Sequence, residues 1–80
     1  MRVRLRFFGR LSEAVTADAV ERELGAGARV ADLRRELVGE YPGSGALATC
    51  MVAVNTDYAA DDRELADGDE VAFIPPVSGG

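Results

Sequence analysis

Charged and apolar residues alternate from the second position onward, with Val3, Leu5 and Phe7 set between Arg2, Arg4 and Arg6. A period of two puts the apolar set on one face of a strand and the arginines on the other. Gly9 ends that strand. From Arg10 to Ala17, Leu11, Ala14 and Val15 fall at helical spacing. This predicts a short helix, with Ser12 a candidate cap. A weaker alternation, Val20, Arg22 and Leu24 against Ala19, Glu21 and Glu23, predicts a second strand that closes at Gly25-Ala26-Gly27. Val30, Leu33, Leu37, Val38 and Tyr41 then form one stripe of a longer helix. It stops before Pro42, because the residue preceding a proline avoids the right-handed helical region. Positions 42–49 are rich in Gly, Ser and Ala and read as a loop. Cys50 to Val54 is an apolar run of strand length, Asn55-Thr56-Asp57 a turn, and Tyr58 to Ala60 a short return strand. Asp67-Gly68-Asp69 makes a second turn, after which Val71 and Phe73 alternate inward on a last strand.

The element order predicts an α+β roll: a mixed sheet, one long helix packed on it, and a short helix after the first strand. The last strand is expected beside the first. The helix stripe supplies one side of the core, and Val3, Leu5, Phe7, Val52, Val54, Val71 and Phe73 supply the other. One weakness is expected at the start of the long helix. Arg29 stands three residues before Asp32 where a Ser or Thr would complete a capping box, which predicts about 1 kcal/mol less helix stability.

Composition narrows the function. Eighty residues, 48% of them hydrophobic, make one folded domain with one core. Residues 1–74 form the domain and residues 75–80 a tail. No apolar run approaches the roughly 20 residues of a membrane helix, and the alternating N-terminus is not a signal peptide, so a cytoplasmic protein is expected. A net charge of −5 argues against nucleic acid. There is no histidine and one cysteine, Cys50, so neither a disulfide nor a cysteine metal cluster can form within the chain. Cys50 reads as a small buried hydrophobe. The acidic residues Asp57, Asp61, Asp62, Glu64, Asp67, Asp69 and Glu70 lack a calcium-loop spacing and read as solvated surface, with a secondary use in docking to a basic partner. No metal or bound cofactor is expected. Arg2, Arg4 and Arg6 share a strand face and are expected to pair across strands with Glu70. All nine basic residues are arginine, so the chain offers no lysine amine for linkage to its own copies.

The final run, Ile74-Pro75-Pro76-Val77-Ser78-Gly79-Gly80, carries the candidate chemistry. The prolines fix φ and hold a stem extended. The glycines lack a Cβ, so they pass through a channel closed to other residues. The segment from Pro75 to Gly80 reaches roughly 20 Å beyond the fold at about 3.3 Å per residue. A carboxylate at Gly80 is ionised at neutral pH and is a poor electrophile. Acyl chemistry there requires activation by a partner, for instance adenylation.

The run from Leu65-Ala66-Asp67-Gly68-Asp69-Glu70-Val71 through Pro75-Pro76-Val77-Ser78-Gly79-Gly80 resembles the C-terminal signature of the molybdopterin synthase small subunits, within the ThiS/MoaD ubiquitin-like sulfur carriers. Leu5-Arg6-Phe7-Phe8-Gly9 resembles the first strand of that family, and Ala53-Val54-Asn55 its middle strand and turn. The resemblance implies the β-grasp fold. It implies that Gly80 is adenylated by a ubiquitin-activating-type adenylyltransferase using ATP, then converted to a thiocarboxylate by a sulfur donor protein. The tail, with Gly79, Ser78, Val77, Pro76 and Pro75 leading to Gly80, would insert into the large subunit of molybdopterin synthase, which holds the pterin precursor, in a complex of two large and two small subunits. An outward apolar patch docks the partner in this family; by position it would include Ile74, Tyr58 and Phe8.

Three other readings fit parts of the chain. A sulfur carrier for thiamine thiazole or cysteine synthesis shares the fold and the Gly-Gly end, and the Pro-Pro-Val-Ser approach favours molybdopterin over these. A ubiquitin-like protein modifier joined through Gly80 would leave conjugates on target lysines. A plain interaction domain with an inert tail would be indifferent to loss of Gly80.

Overall fold

The computed structural model describes residues 1–15 and 19–75. The chain runs through β1 (Arg2–Phe7), α1 (Arg10–Val15), β2 (Ala19–Glu23), α2 (Val30–Glu40), α3 (Ala46–Thr49), β3 (Met51–Val54), β4 (Asp57–Tyr58) and β5 (Glu70–Ile74). The five strands form one sheet in the order β2-β1-β5-β3-β4. β1 pairs antiparallel with β2 and parallel with β5, so the last strand lies beside the first, and β5 pairs antiparallel with β3. This mixed sheet with a helix packed across it is the β-grasp roll.

Alternation fixes which face each strand buries. Val3, Leu5 and Phe7 of β1, Val52 and Val54 of β3, and Val71 and Phe73 of β5 all point into the core, joined there by Val30, Leu33 and Leu37 of α2. Phe7 and Phe73 are register partners on neighbouring strands, and their rings stack at 5.3 Å between centroids. Val38 and Tyr41, the edge of the predicted stripe, are only partly buried.

Three local expectations are corrected. Residues 42–49 are not all loop: α3 occupies Ala46–Thr49 and drives Leu47 into the core. Its four residues are too few to show a period. The third strand begins at Met51, because Cys50 is the residue that closes α3. Ser12 lies inside α1, and its hydroxyl donates to the Gly9 carbonyl at 2.8 Å, so it does not cap the helix. The predicted end of that helix, up to Ala17, runs into positions outside the described residues.

The start of α2 is capped in an unexpected way. Asp32 accepts the Arg29 backbone N–H at 2.8 Å, and Arg29 has no side-chain acceptor to return the bond. The free donors of the first turn are met from elsewhere in the fold: Val30 donates to the Arg63 carbonyl and Ala31 to the Asp61 carbonyl, both at 2.9 Å. The Arg29 guanidinium reaches the Asp62 carbonyl at 3.0 Å. Loop carbonyls thus satisfy donors that a Ser or Thr cap would have served, which offsets the expected loss.

Candidate functional site, an apolar sheet face at the root of the tail

The core side of the sheet is closed by α2, and the opposite face is open. Residues that pair across strands share a face, so the register lays out the open face in rows. Tyr58, Ala53, Ala72 and Arg6 form one row across β4, β3, β5 and β1. Met51 and Ile74 form the next, and Phe8 follows just past the end of β1, where its N–H donates to the Phe73 carbonyl at 3.1 Å. The structure thus brings together the three residues expected to meet a partner, Tyr58, Ile74 and Phe8. It adds Met51, which the sequence did not single out. Tyr58 is 69% exposed, Phe8 42% and Met51 40%, and they are the large hydrophobic side chains most exposed among the described residues. Large apolar side chains exposed together on one face mark an interaction surface.

The rest of the face is charged. Beyond the apolar rows, Arg2 meets Glu21 at 3.7 Å and Glu23 at 3.4 Å across β1 and β2. Arg6 meets Glu70 at 3.9 Å, the cross-strand partner expected for this strand. Arg4 is opposite Glu70 in the β1–β5 register and opposite Glu21 on β2, yet closes an ion pair with neither.

β5 is the element that aims the tail. Its register is set at the start by a tight turn. Asp69 accepts from the Ala66 N–H and from the Asn55 carboxamide, both at 2.8 Å, and its carbonyl accepts the Arg4 N–H. Asp67 takes the Arg2 N–H at 2.7 Å, and Gly68, with φ +87°, donates to the Arg2 carbonyl. At its far end β5 delivers Pro75 onto Gly9. Gly9 has φ +56°, and a Cβ built there would sit 3.2 Å from the Pro75 ring. A bare backbone at position 9 therefore lets the root of the tail lie close to the end of β1. The residues expected to enter a partner, Pro76, Val77, Ser78, Gly79 and Gly80, lie outside the described residues.

Other candidate chemistry is accounted for by packing. Cys50 is 3% exposed; its thiol donates to the Leu47 carbonyl at 3.6 Å and receives Arg34 at 3.4 Å. Burial pushes its pKa up, with Arg34 opposing, so the thiol stays protonated and unreactive at neutral pH. Arg34 also donates to the carbonyls of Leu47 and Cys50, which closes the end of α3. Among the described residues no group of His, Cys, Asp and Glu is arranged to hold a metal ion, and no helix is long and apolar enough to cross a membrane.

Comparison with known proteins places this geometry. The ThiS family model matches residues 5–80. The molybdopterin synthase sulfur carrier subunit of Chlamydomonas reinhardtii is 36% identical over 83 residues, covering all of both chains. The structure of a putative molybdopterin converting factor subunit 1 from Pyrococcus furiosus superposes with a TM-score of 0.84 at 34% identity, covering 96% of this chain and 99% of that one. A chain from a complex of subunits 1 and 2 of the molybdopterin-converting factor of Helicobacter pylori superposes at 0.70 with 28% identity over the full length of both. With the family model spanning nearly the whole sequence and a curated sulfur carrier subunit matched end to end, the chain belongs to the ThiS family of ubiquitin-like sulfur carriers.

Proposed function

We propose that this chain is the sulfur-carrier small subunit of molybdopterin synthase, and that Gly80 is the atom-bearing end. The observation that carries the reading is the continuity of β5: Ile74 belongs to the exposed apolar face, and the next residue, Pro75, starts the tail. A partner that covers Tyr58, Met51, Ile74 and Phe8 therefore meets the tail at a fixed point and in a fixed direction. Binding energy from the face is converted into positioning of the terminus.

The chemistry needs two activations that the chain cannot supply. A Gly80 carboxylate oxygen attacks the α-phosphorus of ATP on a ubiquitin-activating-type adenylyltransferase and releases pyrophosphate. Sulfur at the sulfide level, delivered by a sulfur donor protein, then attacks the acyl carbon, expels AMP and leaves a thiocarboxylate. In the large subunit the thiocarboxylate sulfur displaces an oxygen leaving group at a carbon of the pterin precursor. Water hydrolyses the resulting thioester to return the carboxylate and leave a thiolate on that carbon, and a second charged chain supplies the other sulfur of the dithiolene. The chain holds no cofactor in this scheme; ATP is consumed by the activating partner, and the cycle runs in the cytoplasm. The Helicobacter pylori complex of subunits 1 and 2 supports a large-subunit partner of this kind.

Reconstitution with the cognate large subunit tests the proposal. Removal of Gly80 is expected to leave binding intact and abolish dithiolene formation. Ile74→Asp is expected to abolish binding itself. Dithiolene formation by the chain lacking Gly80 would overturn the reading.

A further inference from the structure

We infer that Arg6 is the polar anchor of the docking face, and that the protein receiving the tail presents a carboxylate to it. This rests on the proposed docking of the apolar face. Arg6 closes the row that begins at Tyr58 and passes through Ala53 and Ala72. It is therefore the cation that borders the apolar surface, two residues before Phe8. Its guanidinium lies over the Phe8 ring, 5.5 Å from the centroid, and Glu70 steadies it from the side at 3.9 Å. The head group is thus held in place without a hydrogen bond: among the described residues its side-chain N–H groups have no acceptor. Other arginines of the chain are committed. Arg22 is forked onto Glu40, Arg34 is tied to the Leu47 and Cys50 carbonyls and to Asp61, and Arg35 pairs with Asp32. Among the described residues Arg4, Arg10, Arg29 and Arg63 close no ion pair, but none of them is held against a ring of the apolar face as Arg6 is.

A guanidinium presents a planar fork of donors matched to a carboxylate. Its cost of ordering is already met by the ring and by Glu70, which is the condition under which an interface arginine contributes strongly. Phe8 gains as well, since the stacked cation holds the ring in the orientation that the partner meets. The occupant is a carboxylate and not a phosphate, because the chain carries a net charge of −5 and Glu70 is adjacent. A multiply charged anion would be repelled, while one carboxylate from a well-shaped protein surface is accommodated.

The test is binding of the full-length chain to its cognate molybdopterin synthase large subunit, by surface plasmon resonance across a salt series. Arg6→Gln is expected to weaken Kd about tenfold and to flatten the salt dependence of the association rate. Arg6→Lys is expected to restore the salt dependence and only part of the affinity, because a lysine keeps the charge and loses the fork. Unchanged thermal midpoints for both variants separate anchoring from folding, since a purely structural role would not move the salt slope. An Arg6→Gln chain that binds within twofold of wild type with the same salt slope overturns the assignment. Ile74→Asp in the same assay shows whether the docking face has failed with it: loss of binding there leaves the face intact and removes Arg6 alone.

Discussion

The Asn55 carboxamide donates to the Asp69 carboxylate at 2.8 Å, and through that bond two turns distant in sequence are made into one. Asn55 has φ +50°, a left-handed conformation that Asn tolerates better than most residues. It also accepts the Glu70 N–H at 3.0 Å and donates its own N–H to the Glu70 carbonyl. Asp69 is 9% exposed, and its other carboxylate oxygen accepts the Ala66 N–H. The pair holds the first residue of β5 in register with β3 and β1, and so fixes where the tail leaves the fold.

Asn55→Ala is therefore expected to cost about 2 kcal/mol in urea unfolding, from lost hydrogen bonds to a buried group and from strain at positive φ. Asp69→Ala should cost about as much, and the double variant less than the sum, because the two share one bond. A loss under about 0.5 kcal/mol for either would contradict the coupling.

Arg22 clamps β2 to the end of α2, with one nitrogen on each Glu40 oxygen and a longer contact to Glu36. The hydrogen bond from Arg22 holds the Glu40 carboxyl below its ordinary range. A carboxyl whose folded value is depressed adds stability above its unfolded value and loses it as pH falls. Glu40→Gln is expected to cost about 0.5–1 kcal/mol at neutral pH, since the pair is partly exposed, and nothing once acid has protonated Glu40 in both states. A deficit that persists unchanged at low pH would rule out the ion pair as its source.

Cys50 behaves in the opposite sense. Burial raises its pKa, so the unfolded chain gives up the thiol proton first. Its contribution is complete below the ordinary thiol range and is lost as pH rises through and above it. Stability of the wild type should therefore fall more steeply in alkali than that of Cys50→Ala. The thiol should react with a disulfide reagent only at the rate of opening, and rapid labelling of the native chain at neutral pH would contradict its burial.

Gly9→Val is expected to be worse than Gly27→Val. Both positions have positive φ, at +56° and +85°, but only at Gly9 would a Cβ crowd Pro75. The excess, about 1–2 kcal/mol of displaced contact and backbone adjustment, should shrink when Pro75 is also replaced by Ala. An equal cost at the two glycines would mean that Pro75 does not lie on Gly9.

Much of the fold was legible because its elements carry local signals. The alternation at Val3, Leu5 and Phe7, the stripe through Val30, Leu33 and Leu37, and the turn at Asp67-Gly68-Asp69 each encode their own geometry. What was missed depends on distant partners. α3 is one turn long and follows Gly43 and Gly45, so nothing periodic marks it. The caps of α2 come from carbonyls about thirty residues away in sequence, at Asp61 and Arg63. Met51 belongs to an unbroken apolar run, Met51 to Val54, in which composition does not separate the inner from the outer face; only pairing with Ile74 does. The reading of the tail rests on residue type and order alone, and its last five residues lie outside the described residues.

The most direct measurement is the intact mass of the full-length chain after incubation with ATP, its cognate adenylating enzyme and a sulfur donor. Replacement of one oxygen by sulfur, located at Gly80 by fragmentation and absent when Gly80 is removed, is the expected result. An unchanged mass, with enzyme and donor shown to be active on another carrier, would contradict the assignment of Gly80 as the sulfur-bearing residue.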